Sequence, residues 1–336
     1  MAPHSDAPST VGFLGVQSYS QWYSSSRDSN LSDTVSSLGS SIDCSLDVRH
    51  SHLLIPGVYV PAMCFFTPDT EDVDTARIAD HAVRLARAGV TGLATQGSNG
   101  EAVHLSHSKR QSTREIIQYC QEAWEVGGDY GLVLPPSYYA TLFAPASETI
   151  LESSTAVAGK SLIPLIIYNF PGAVGGMDLF SGIIVTLAAH PTIVGVKLTC
   201  GNTGKLTRVA AATRKLSIYN PAQPEFLAIA GPADFLIPSL SGGGHGILAG
   251  LANIAPTACI RTMELYQVGN VSEAQKMQEV VSQGDWAAIQ GGVVDAKAGL
   301  HAWVGYRGSA RSPFSKPSAE QAKRWKEGFR NLVMLE

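Results

Sequence analysis

From Pro56 onward, short apolar runs alternate with longer stretches in which apolar residues recur every three or four positions. Residues 58–66 read as a buried strand. Residues 74–88 follow with helical spacing in Ile78, Ala82, Leu85 and Ala86, and Gly89 stops that helix. The same reading predicts strands at 91–96, 130–134, 164–169, 192–198, 225–230 and 245–249. Helices are predicted at 108–125, 144–158, 179–189, 206–213 and 233–240. The spacing of Met263, Leu265, Tyr266, Ala274, Met277 and Val280 carries a helical pattern through 256–298. Such alternation builds strand–helix–strand units and a parallel sheet. A closed barrel of these units needs eight strands. Only seven strand-like runs occur, and the shortfall lies between Glu101 and Tyr130, where a single helix joins two strands.

Residues 1–52 have a different texture, rich in serine and short of long apolar runs. A stretch like this buries too little surface to offset its ordering entropy, and it is expected to be a disordered leader. A mitochondrial presequence would be rich in arginine and poor in acids. Here Arg27 and Arg49 stand against Asp6, Asp28, Asp33, Asp43 and Asp47, which argues against that reading and for a cytoplasmic protein. The expected division is therefore a leader at 1–52, a barrel at 53–255 and a helical extension at 256–336.

Composition narrows the function classes. A chain of 336 residues holds one barrel comfortably, and its formal charge of −4, without a basic block, argues against nucleic acid as a partner. No apolar run is long enough to span a bilayer, so no membrane partner is expected. Cys44, Cys64, Cys120, Cys200 and Cys259 are scattered and odd in number, as reduced packing thiols would be, and no metal-ligand spacing is present.

The chemistry-bearing residues fall at predicted strand ends. Lys197 sits near the end of the apolar run 192–198, where a charge is out of place. In an α/β barrel the C-terminal strand ends are the working face. A lysine desolvated there has a lowered pKa and can attack a carbonyl to form a Schiff base. The alternative is a lysine that snorkels to water from the strand end. Gly97, Ser98 and Asn99, in the run Gly-Ser-Asn-Gly-Glu, offer backbone and side-chain donors suited to a carboxylate, although such clusters also make plain turns. Tyr138 and Tyr139 close the run Pro-Pro-Ser-Tyr-Tyr, where aromatic packing at a subunit contact is the other reading. Tyr168, in the run Ile-Ile-Tyr-Asn-Phe-Pro at the end of an earlier strand, would project near Lys197. A buried tyrosine usually just satisfies its hydroxyl, but beside a Schiff-base lysine it could shuttle protons. The run from His245 through Ala249 and Gly250 supplies a glycine-rich lip where backbone can approach a ligand.

These segments, in this order, resemble the dihydrodipicolinate synthase/N-acetylneuraminate lyase family of class I pyruvate aldolases. The resemblance covers residues 56–317 and rests on Gly-Ser-Asn-Gly-Glu, Pro-Pro-Ser-Tyr-Tyr, Tyr-Asn-Xaa-Pro, Gly-Val-Lys, and the segment from Gly305 through Arg311-Ser-Pro. It implies a homotetrameric TIM (β/α)8 barrel with a helical C-terminal extension, a 2-oxo acid substrate and neither metal nor organic cofactor. It further implies that Lys197 forms the imine and that Tyr168 acts as general acid/base. Ser98 and Asn99 would hold the 2-oxo acid carboxylate. Tyr139, or less directly Tyr138, would match the tyrosine that reaches a neighbouring subunit's site.

Dihydrodipicolinate synthases carry an arginine shortly after Tyr-Asn-Xaa-Pro, whereas here Pro171 is followed by Gly-Ala-Val-Gly-Gly. The nearer resemblance is to fungal L-threo-3-deoxy-hexulosonate aldolases, with 4-hydroxy-2-oxoglutarate aldolases second and dihydrodipicolinate synthesis third. Family members have about thirty more residues after the Gly-Ser-Asn-Gly-Glu loop, one strand–helix unit of the barrel. The chain is thus expected to lack the third strand, and a catalytically silent family member is the alternative from outside the enzymes.

Overall fold

The computed structural model describes residues 12–15, 53–104, 112–137, 147–219, 225–306 and 308–336. Strand β1 (Gly12–Gly15) precedes a run of alternating elements: β2 (Gly57–Pro61), α1 (Thr75–Arg87), β3 (Gly92–Thr95), α2 (Thr113–Glu125), β4 (Tyr130–Val133) and α3 (Ser147–Ala158). The run continues with β5 (Leu165–Asn169), α4 (Ser181–Ala188), β6 (Ile193–Leu198), α5 (Thr203–Tyr219), β7 (Leu227–Ala230), α6 (Leu236–Ser241) and β8 (Gly246–Leu248). Each predicted apolar run contains or overlaps one of the strands β2–β8, and these seven are parallel wherever they pair.

The sheet closes in the order β1-β3-β2-β8-β7-β6-β5-β4. The expected shortfall between β3 and β4 is real: α2 is the one long helix between them among the described residues, and the two strands are not neighbours. The interval is filled by β1, antiparallel to both. Gly12–Gly15 fall in the segment read as disordered, so that expectation is corrected there. Their pairing partners lie far along the chain, where no local pattern reveals them.

Two apolar layers hold the barrel. Inside it, Tyr59, Tyr130, Ile166, Val194, Leu227, Ile229 and Leu248 pack together with Tyr168. Outside it, alternate strand residues meet the apolar faces of the helices. Local chemistry sets the helix ends. Asp74 accepts from Arg77 N at 2.9 Å to cap α1, and Ser112 and Glu115 form a reciprocal capping box on α2. Helix α2 then buries Ile116, Cys120 and Ala123, spaced four and three apart on one face.

The extension comprises α7 (Pro256–Gln267), α8 (Val271–Val304), α9 (Ala319–Gly328) and α10 (Arg330–Val333). Gly292, at φ 59°, interrupts α8, and Gly305 ends it in the left-handed conformation. The buried face of α8 carries Gln278 and Asp285, which reach the loop after β7. Asp285 Oδ2 accepts from Ala233 N and Asp234 N at 2.8 and 3.0 Å, and Gln278 Oε1 accepts from Ile237 N. The extension thereby braces the barrel's C-terminal rim. Among the described residues no helix is long and apolar enough to cross a membrane.

Candidate active site

Tyr168 and Lys197 are register partners on the adjacent parallel strands β5 and β6, and Ile229 of β7 continues the row. Register partners share a face of the sheet. Ile229 belongs to the apolar cluster inside the barrel, so the row lines the interior near its C-terminal mouth. There Lys197 is buried at 5 % exposure, and its Nζ lies 4.2 Å from the centroid of the Tyr168 ring. Among the described residues Lys197 has no ion-pair or hydrogen-bond partner, and the Tyr168 hydroxyl has none either. The snorkelling alternative does not hold, because the side chain turns inward. Among the described residues, then, a buried amine without a counter-ion lies over the ring of a phenol.

Two residues fix that phenol. Phe170 stacks on Tyr168 with ring centroids 5.7 Å apart and planes 23° apart. Asn169, pointing the other way as strand alternation requires, donates from Nδ2 to Asp178 Oδ1 at 2.8 Å and accepts from Leu179 N at 3.0 Å. Asp178 in turn pairs with buried Lys205 of α5. Burial opposes ionisation of Asp178, yet the Lys205 and Asn169 hydrogen bonds hold its carboxyl below the usual range. This chain of contacts ties the loop after β5 to α5 and keeps the end of β5 in place.

The loop after β3 turns on itself. Gly100 N and Ala102 N both donate to Gly97 O, and Glu101 N donates to Ser98 O. The backbone N–H groups of Ser98 and Asn99 are left without partners among the described residues. Gln96 and Glu101 flank the loop at φ 52° and 55°, a conformation that non-glycine residues hold only when their surroundings force it. For Glu101 the force is visible: its fully buried carboxylate pairs with buried Lys297 of α8, accepts from Arg311 N at 2.8 Å and meets His104 Nδ1 at 3.1 Å. Lys297 and Arg311 also lie over the face of Phe66, at 4.4 and 4.5 Å from its centroid.

From β8, Gly250 meets this loop. A Cβ at Gly250 would lie 2.5 Å from Asn99 Nδ2, so glycine there admits the amide against the backbone. Ala249 is fully buried, its N–H donating to Tyr59 O at 3.2 Å. Asn99 and Gly250, both singled out in the sequence, thus meet on the rim, and Ala249 precedes Gly250 in the chain. Tyr138 and Tyr139 lie outside the described residues.

Three features were not foreseen. Thr199, two residues past Lys197, has a buried Oγ1 with no partner and presses on Gly231, where a Cβ would come within 2.0 Å of that oxygen. The spacing of two was the available signal, since it returns to the same face of an extended chain. The Asn169–Asp178–Lys205 contacts and the Glu101–Lys297 pair join distant segments, which no local pattern betrays. Among the described residues no group of three His, Cys, Asp or Glu side chains is arranged for a metal ion, and Cys64, Cys120, Cys200 and Cys259 are free thiols.

Comparison with known proteins identifies the family. A curated protein of Emericella nidulans, named "Probable 4-hydroxy-2-oxoglutarate aldolase, mitochondrial", is 47 % identical over 310 residues, covering 84 % of this chain and 96 % of its own. The Aspergillus niger protein named "L-threo-3-deoxy-hexylosonate aldolase" is 40 % identical over 325 residues, with the same two coverages. A crystal structure of a "dihydrodipicolinate synthase family protein" from Coccidioides immitis superposes with a TM-score of 0.71 at 29 % identity, covering 84 % of this chain and 96 % of that one. The model of the dihydrodipicolinate synthetase family matches residues 110–330, and this chain belongs to that family.

Proposed function

We propose that the chain is a class I aldolase that cleaves a 2-keto-3-deoxy sugar acid, such as L-threo-3-deoxy-hexulosonate, to pyruvate and an aldehyde. The observation that carries the reading is the buried amine of Lys197, without an ion-pair partner among the described residues, over the ring of Tyr168. Lys197 Nζ adds to the C2 carbonyl of the 2-oxo acid, and loss of water gives a protonated imine. That cation is an electron sink. Tyr168 gives its proton to the water that departs as the imine forms. The phenolate so left takes the proton of the 4-hydroxyl, the C3–C4 bond breaks, its electrons flow into the imine, and the aldehyde departs, leaving on Tyr168 the proton that C3 then receives. The remaining enamine takes a proton at C3, and water hydrolyses the imine to release pyruvate and the free lysine.

Ser98 and Asn99, whose backbone N–H groups have no partner among the described residues, suit the C1 carboxylate in the loop that Gly97 opens, and Ala249 and Gly250 form the opposing lip. Thr199 Oγ1, buried and unpaired near Lys197, suits a hydroxyl on the aldehyde half. This favours a polyol tail over a second carboxylate, which would call for a cation, and the nearby Lys205 is committed to Asp178. The second reading, 4-hydroxy-2-oxoglutarate cleavage to pyruvate and glyoxylate, is favoured by the name of the 47 % identical relative. Dihydrodipicolinate synthesis lacks support, since residues 172–176 hold no arginine.

A homotetramer, with Tyr139 or Tyr138 completing a neighbouring subunit's site, is part of the proposal, as is a cytoplasmic location. The name of the Emericella nidulans relative contains "mitochondrial", which is the competing location. The test is turnover against a panel of 2-keto-3-deoxy acids and 4-hydroxy-2-oxoglutarate, with pyruvate release as the readout. Silence on every member would overturn the aldolase reading. A preference for the dicarboxylate would select the second.

A further inference from the structure

Strand β1 has an unusual setting. Seven strands run parallel around the barrel, and β1 alone runs against its neighbours, paired with β3 on one side and β4 on the other. Strands joined by a single crossover helix usually lie side by side. Here α2 joins β3 to β4 across two strand spacings, roughly 10 Å. Emptied of β1, that interval would leave two facing edges, each with backbone N–H and C=O groups unpaired and too distant to pair with one another.

The occupant fits both edges. Phe13, Leu14 and Gly15 oppose Thr95, Ala94 and Leu93 on β3, while Gly12, Phe13 and Leu14 oppose Leu132, Gly131 and Tyr130 on β4. The run Val11-Gly-Phe-Leu-Gly-Val16 is the longest stretch of residues 1–52 free of polar, charged and proline residues, so it is the part of that segment suited to a buried strand. The 41 residues between Gly15 and Gly57 could span roughly 130 Å when extended, ample to reach the slot within one chain.

We propose that the slot between β3 and β4 is a strand-binding site occupied by the chain's own Gly12–Gly15. The N-terminal segment is then a retained working part of the barrel and not a removable leader. The consequence for the site is direct. β3 carries the Ser98–Asn99 loop, and β4 is the strand next to the one bearing Tyr168. β1 therefore sets the distance between the two halves of the rim. Proteolytic removal of the segment, as in organelle import, would open the barrel between them.

The test uses the full chain and readouts independent of turnover, so failure of the aldolase reading leaves it intact. Hydrogen exchange followed by mass spectrometry should show the amides of Gly12–Gly15 exchanging at least tenfold more slowly than an unstructured peptide. Leu14→Pro removes a donor and locks φ away from the strand value. It should accelerate exchange in Leu93–Thr95 and Tyr130–Leu132 while leaving β6 and β7 protected. As a second arm, Phe13→Cys with Thr95→Cys places thiols on opposed positions and should yield an intrachain disulfide under mild oxidation. Exchange of Gly12–Gly15 at the unstructured rate, or an unchanged exchange pattern in Leu14→Pro, would overturn the proposal. A disulfide formed between two chains of that double variant, in place of the intrachain one, would also overturn it by naming a second copy as the occupant.

Discussion

The amine of Lys197 stands 4.2 Å above the ring centre of Tyr168, and register pairing on β5 and β6 puts it there. The arrangement separates two roles that one experiment can read apart. Borohydride reduction in the presence of pyruvate should attach a pyruvate-derived adduct to Lys197, and Lys197→Met should give neither adduct nor turnover. Tyr168→Phe keeps the ring beneath the amine and removes only the hydroxyl. It should still be trapped with pyruvate, while turnover falls by roughly 100- to 10,000-fold, the range of a lost general acid/base. Trapping at another lysine would dismiss the assignment.

Much of this site was legible because both residues lie on strands that announce themselves. Residues 192–198 are so apolar that a lysine within them must be accounted for, and Tyr168 ends the preceding run. Helix ends were less legible. The helix predicted at 206–213 spans Thr203–Tyr219, since packing against the barrel recruits polar turns that periodicity leaves out. The apolar run 58–66 outlasts its strand at Pro61 because the following loop is itself buried, with Met63, Phe65 and Phe66 nearly inaccessible. β1 was hidden altogether: four residues bounded by glycines carry almost no strand signal, and both partner strands are remote in sequence. Thr199 could have been found by extending the alternation past Lys197.

Gly250 makes room for Asn99. A methyl group there would collide with the Asn99 amide, the far end of a side chain, so the fold should survive and the amide should move. Gly250→Ala is therefore expected to raise KM for the 2-oxo acid by about tenfold or more, with a smaller effect on kcat, as for loss of uniform binding. Steady-state kinetics on the preferred acid decides it. An unchanged KM would remove Asn99 from the carboxylate site.

Glu101 and Lys297 join the loop after β3 to α8, both side chains being almost inaccessible. Burial presses the Lys297 ammonium below the usual lysine range, against the pull of Glu101 upward. Lys297→Met leaves the carboxylate with only the Arg311 N–H and His104, a loss of roughly 3–5 kcal/mol if the usual penalty for an orphaned buried charge applies. Lys297→Met/Glu101→Gln should recover part of that loss, because the uncompensated charge is gone. Chemical denaturation of the two variants checks the order. If the double variant is no more stable than the single, the pair is not what holds the loop.

His81 gives stability a pH dependence whose sign can be worked out. Its ring is buried between Phe65 and Tyr306, with Nε2 2.9 Å from Asn253 Oδ1. Burial, opposed by the Asn253 hydrogen bond and aided by nearby Arg84, lowers its pKa to about 4. In the unfolded chain the imidazole takes up its proton near pH 6.5. Between these values the unfolded state binds more protons, so this group's contribution rises with pH across 4–6.5 and is complete above it. The shift corresponds to on the order of 3 kcal/mol. Asp285 acts in the opposite sense. Burial and neighbouring Asp234, against two backbone N–H bonds, push it to about 7, so the folded state keeps its proton longer and stability from this group declines from pH 3.8 to 7. The two slopes oppose each other in the unmodified chain, and single substitutions should separate them. His81→Phe keeps the edge-on ring contacts and should remove the rising component, leaving a protein whose urea midpoint falls as pH increases from 4.5 to 6.5. Asp285→Asn should remove one falling component and leave that of Asp295, which burial pushes up to about 6, so its midpoint should fall less steeply, or rise more, over the same interval than that of the unmodified chain. Parallel profiles for both variants would show that neither group titrates where its burial demands.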